Sequence, residues 1–110
     1  MATVYKVLGQ TGPAATSNTD VYTVPSSKYA VVSTLTVANR ATSSATYRIA
    51  IRPDGATIAN EHYIAYDASV PGNDTIALTL GLTADASDVF TVYASTADLS
   101  FGVFGSEIDA

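Results

Sequence analysis

Apolar and polar residues alternate over short stretches of this 110-residue chain, and turn residues recur at about the 8–12-residue spacing of sandwiches and barrels. Over residues 45–52, Tyr47, Ile49 and Ile51 point one way and Thr46, Arg48, Ala50 and Arg52 the other, so one face is core and one is wet. The stretch 75–80 repeats the pattern with Ile76, Leu78 and Leu80 inward, and Leu99, Phe101 and Val103 do the same near the end. The pattern predicts about eight strands, over 3–8, 20–24, 29–39, 45–52, 61–67, 75–80, 89–94 and 99–108, and no helical periodicity is visible. Residues 29–39 alternate less cleanly, because Val31 and Val32 are adjacent and Leu35 and Val37 follow after Ser33 and Thr34; this strand is expected to be central, bulged or shared with a neighbour.

The connections carry turn chemistry. In Pro53-Asp54-Gly55 the proline presets φ, the aspartate bonds its own backbone and the glycine tolerates the left-handed region; Pro71-Gly72-Asn73-Asp74 does likewise before the Ile76 strand. Residues 9–19, rich in Gly, Pro, Ala, Ser and Thr, read as a long loop between the first two strands. A long early connection suits Greek-key or jelly-roll wiring, so the expected fold is all-β: one antiparallel β-sandwich, jelly-roll-like, over residues 1–110, with 1–10 as an N-terminal arm or edge strand.

Composition narrows the function classes. There is no cysteine, hence no disulfide framework, thiolate nucleophile or Cys-ligated metal. Ten acidic residues face five scattered basic ones, a balance that argues against nucleic-acid binding, which needs clustered cations. No apolar run approaches the roughly 20 residues of a membrane-spanning helix, and residues 1–10 do not form a signal-peptide core, so a soluble protein made without secretion is expected.

The search for chemistry predicts no catalytic residue, cofactor or metal. His62 is the only histidine, so every Ser-His-Asp or multi-His arrangement collapses onto one residue, and on a strand Glu61 would point to the opposite face; His62 reads as a surface or interface residue. Asp85 with Asp88, or Asn73 and Asp74 with Asp67, offer oxygens to calcium at a loop tip, but without calcium-loop spacing they read as turn residues. Asn73-Asp74-Thr75 matches a glycosylation sequon, a coincidence in a chain without a secretion signal. Seven tyrosines against three phenylalanines is the one compositional oddity. Tyr63 and Tyr66 are expected on opposite faces of one strand, with Tyr22, Tyr29, Tyr47 and Tyr93 spread over four others, serving cross-strand packing or an intersubunit surface.

Several runs resemble a known family. Lys6-Val7-Leu8-Gly9-Gln10, then Tyr22-Thr23-Val24-Pro25, then the stretch from Val31 to Arg40, then Tyr66-Asp67 with Pro71 and Asn73-Asp74-Thr75, and the ending Phe104-Gly105-Ser106-Glu107-Ile108 are similar to small virion structural proteins of tailed bacteriophages, including those infecting cyanobacteria. The likeness covers nearly the whole chain, and that family has no catalytic residues to carry over. It implies a non-enzymatic virion component present in many copies, associated with tail, baseplate or fibre, or alternatively a capsid decoration protein.

A glycan-binding module, which needs an aromatic platform flanked by carboxylates, is a further reading. Partners are then other copies of the chain, a trimer first, and other virion proteins. The contact residues expected are Val4, Val7 and Leu8, in a segment placed to add as an edge strand to a neighbour or to pair within its own sheet, and the adjacent pair Val31 and Val32.

Overall fold

A computed structural model describes residues 2–110; Met1, the first residue of the predicted arm, lies outside them. Nine strands follow in order: β1 (Thr3–Thr11), β2 (Thr19–Thr23), β3 (Lys28–Asn39), β4 (Ala45–Arg52), β5 (Tyr63–Val70), β6 (Thr75–Leu78), β7 (Leu82–Ala84), β8 (Val89–Ala94) and β9 (Leu99–Asp109). One sheet runs β1-β9-β3-β6, with β7 also on β3, and the other β2-β8-β4-β5. Every pairing is antiparallel.

Strand β6 lies opposite residues 35–38 of β3 and β7 opposite residues 30–32, so the two are halves of one interrupted strand. Counted as one, they leave eight strand positions, and the chain crosses between the sheets at almost every connection. That is the wiring of a jelly roll.

The interruption corrects the expected strand over 75–80. Pairing stops after Leu78, Gly81 turns at φ +65°, and Leu80 is 51% exposed rather than inward, whereas Ile76 and Leu78 pack on the core. The segment 9–19 is also shorter as a loop than expected, since β1 continues to Thr11. Gly9 permits this: a Cβ there would overlap the Val21 carbonyl, so only glycine lets β1 pass this close to β2.

The core fills the space between the sheets. Leu99, Phe101 and Val103 of β9 and Tyr47 and Ile49 of β4 are buried as the alternation predicts, and the Tyr47 and Phe101 rings meet edge to face across the sandwich. Strand β3 is both central and bulged: it pairs with β9 on one side and β6 and β7 on the other, and its register with β9 slips between Val32 and Thr34. The slip returns Leu35 and Val37 to the interior after Val32, which accounts for the broken alternation. Asn39, buried at the end of β3, bonds the carbonyls of Ser43 and Val70 and accepts the Ala41 N–H, pinning the crossing from one sheet to the other.

Candidate functional site

The five residues expected at a contact surface divide among three environments. Val32 is fully buried in the core and Leu8 packs against it, which corrects both: strand alternation sends them inward. Val4 is half exposed but stands opposite Glu107, on the inward-facing side of β1. Val7 and Val31 share the outer face of the β1-β9-β3 sheet.

Three cross-strand rows build that face. Val7 stands opposite Phe104, which stands opposite Thr34; Tyr5 opposite Ser106, then Val31; Thr3 opposite Ile108, then Tyr29. Tyr5 is 84% exposed, Val7 48% and Tyr29 45%, with Val31, Phe104 and Ile108 partly covered. Tyr5, Val7, Tyr29, Val31, Phe104 and Ile108 therefore form one apolar patch with no charged residue in its rows, and its far end opens into a groove of about 530 Å³ beside Thr83. Composition pointed to tyrosine without saying which face; register decides it.

The patch runs to an open edge. Strand β1 pairs with β9 of the same chain and ends the sheet, so its other side presents unpaired backbone groups, and residues 3–7 are exposed on both faces. A buried anchor holds this edge. Glu107 of β9 accepts from the Tyr22 hydroxyl of β2 at 2.6 Å and from Lys6 Nζ of β1 at 3.2 Å, so one carboxylate ties β1, β9 and the opposite sheet together. The Tyr22 hydrogen bond, with help from Lys6, holds the carboxyl of Glu107 below its ordinary range, while burial and that same carboxylate push the Tyr22 phenol up. Lys28 pairs with Asp109 at 2.6 Å at the end of β9 and lowers its carboxyl.

The outer face of the other sheet has different chemistry. In the β4–β5 pairing, Ile49 opposes Ala65 and Tyr47 opposes Ala68, so Arg48 faces two residues, Tyr66 and Asp67. This bulge, with Asp67 at φ +51°, sets both beside the guanidinium. Arg48 Nε donates to Asp67 Oδ1 at 2.7 Å, and its Cζ lies 4.3 Å from the Tyr66 ring centre and 4.2 Å from that of Tyr93.

A second irregularity, between Ile49 and Ala50, brings Tyr63 opposite Ala50. The Tyr63 and Tyr66 rings then meet at 4.8 Å and 85°, which corrects the expectation that they occupy opposite faces; that expectation assumed an unbroken two-residue period. Further along the same face, Arg52 bonds Asp20 and Thr91, and Thr91 also donates to Asp20.

The remaining candidates serve the backbone. His62 lies in a 3₁₀ turn (Asn60–His62) rather than on a strand, and its Nδ1 accepts the Ala59 N–H at 3.0 Å. Asp88 accepts the N–H groups of Asp54 and Asp85, Asp85 that of Ala86, and Asp74 that of Thr75, so these aspartates fix turns.

Comparison with known proteins adds no relative: no family model, no curated protein and no solved structure matches this chain.

Proposed function

We propose that this chain is a non-enzymatic structural component of a tailed-phage particle, acting in several copies through surface contact as a tail, baseplate or fibre-associated protein, with capsid decoration as the alternative placement. The sequence resemblance supplies the particle; the geometry supports the mode of action. The observation that carries it is the apolar patch of Tyr5, Val7, Tyr29, Val31, Phe104 and Ile108 running without interruption to the open edge of β1.

A face of this kind joins copies in two ways at once. Backbone groups of β1 extend the sheet into a neighbour, and the aromatic and branched side chains beside them exclude water from the new contact. The occupant is a second copy of the chain: the strand edge and the apolar rows lie on one surface, and a head-to-tail contact repeated around a closed rotation, a trimer first, limits the assembly. Electron microscopy of particles with the protein labelled or deleted tests the placement: extra density at a symmetric site on tail or capsid that vanishes on deletion is expected, and particles unaltered by deletion and free of label overturn the proposal.

A further inference from the structure

The face opposite the apolar patch carries a built recess of its own. Tyr63 and Tyr66 stand at a right angle, 85° between ring planes, and with Asn60 they line an open depression of about 390 Å³. We propose that this recess is a binding site for a neutral saccharide, a pyranose ring lying against the face of one tyrosine and edged by the other.

The chemistry of the walls selects the ligand class. An aromatic face carries negative charge density and attracts the weakly positive C–H groups on the flat side of a pyranose, while the sugar's hydroxyls need donors and acceptors at the rim. The phenols of Tyr63 and Tyr66 and the amide of Asn60 supply both, and among the described residues none of these three side chains is engaged in a hydrogen bond within the chain.

Charge excludes the alternatives. The place a cation would take is filled, because the Arg48 guanidinium already lies against the Tyr66 and Tyr93 rings. An anion gains little, since Asp67 neutralises Arg48 and the exposed carboxylate of Glu61 adjoins Asn60. A neutral ligand with one apolar side and a polar circumference remains.

Contacts within the chain brace the recess. Arg48 stacks on the Tyr66 ring, the strand bulges set where both tyrosines leave β5, and the His62 acceptance of the Ala59 N–H closes the turn that carries Asn60. A preformed site does not pay to order its side chains when it binds. A proline-rich peptide also docks on aromatic grooves, but it needs a row of successive grooves to seat its repeating turns, and the depression lined by Asn60, Tyr63 and Tyr66 is a single one.

Nuclear magnetic resonance titration of the full chain with maltotriose, lactose and N-acetylchitotriose at millimolar concentration tests the site, with a polyproline peptide alongside. At least one sugar is expected to bind with shifts confined to residues around Asn60, Tyr63, Tyr66 and Arg48. Tyr66→Ala, at an exposed position, is expected to weaken that binding about tenfold or more, Asn60→Ala to weaken it by less, and Leu80→Ala, exposed between β6 and β7 of the other sheet, to leave it unchanged. Absence of binding by all three sugars, binding that Tyr66→Ala and Asn60→Ala both leave intact in folded protein, or preference for the peptide overturns the proposal. None of these outcomes bears on assembly through the β1 face.

Discussion

The Tyr22 hydroxyl of β2 donates to Glu107 of β9 across 2.6 Å, and this one hydrogen bond links the two sheets at the end where β1 forms the open edge. Glu107 is 6% exposed and Tyr22 8%, so the bond forms out of water and its loss leaves a buried carboxylate short of a donor. Tyr22→Phe keeps the ring and its contact with Phe90 while removing only the hydroxyl. It is expected to destabilise the fold by about 1–3 kcal/mol in urea unfolding.

The same carboxylate sets a pH dependence. Glu107 is held below its ordinary range by Tyr22 first and Lys6 after it, and Asp109 is held down by Lys28. A carboxyl with a lower pKa folded than unfolded adds stability that is complete above the unfolded value, about 4.3 for glutamate, and lost as pH falls through the folded value. Stability is expected to be level near neutrality and to decline in acid below that range. In Glu107→Gln the acid decline is expected to be shallower, as unfolding midpoints measured across a pH series would show.

Packing predictions rest on the strands that pattern alone identified. Ile49 is 1% exposed at the centre of β4, and Ile49→Ala is expected to cost roughly 2–5 kcal/mol by thermal or urea unfolding.

Gly9 offers a different test of packing. Gly9→Ala drives a methyl group into the Val21 carbonyl and is expected to cost about 1–3 kcal/mol, with crosspeaks of both β1 and β2 displaced in a heteronuclear spectrum.

The fold was legible where burial imposes a two-residue period. Residues 45–52 match their strand end for end, with Ala45, Tyr47 and Ile49 alternating onto the core; residues 89–94 also match, but as a short apolar run buried on both faces. Legibility failed where the backbone departs from that period. The bulge that opposes Arg48 with both Tyr66 and Asp67 leaves no mark in the hydrophobic pattern, so the tyrosine pair on one face was not foreseeable from spacing. Alternation alone carries Leu80 inward, and Gly81, at φ +65°, is the signal in the sequence that the strand breaks there. The apolar content of β1 is visible in the sequence, but only the register with β9 brings Val7, Val31 and Tyr5 onto one face and sends Val4 and Val32 to the other side. Glu107 gave no sign of burial, since its partners lie 85 and 101 residues away in the chain.

Light scattering of the full chain at micromolar concentration directly tests self-association through the outer face and open edge of β1. The wild-type chain is expected to run as a discrete oligomer, and Tyr5→Lys and Val7→Lys, both at exposed positions, are expected to yield folded monomers with unchanged β-sheet circular dichroism. A wild-type chain that stays monomeric throughout, or an oligomer that survives both substitutions, would rule out assembly through this face.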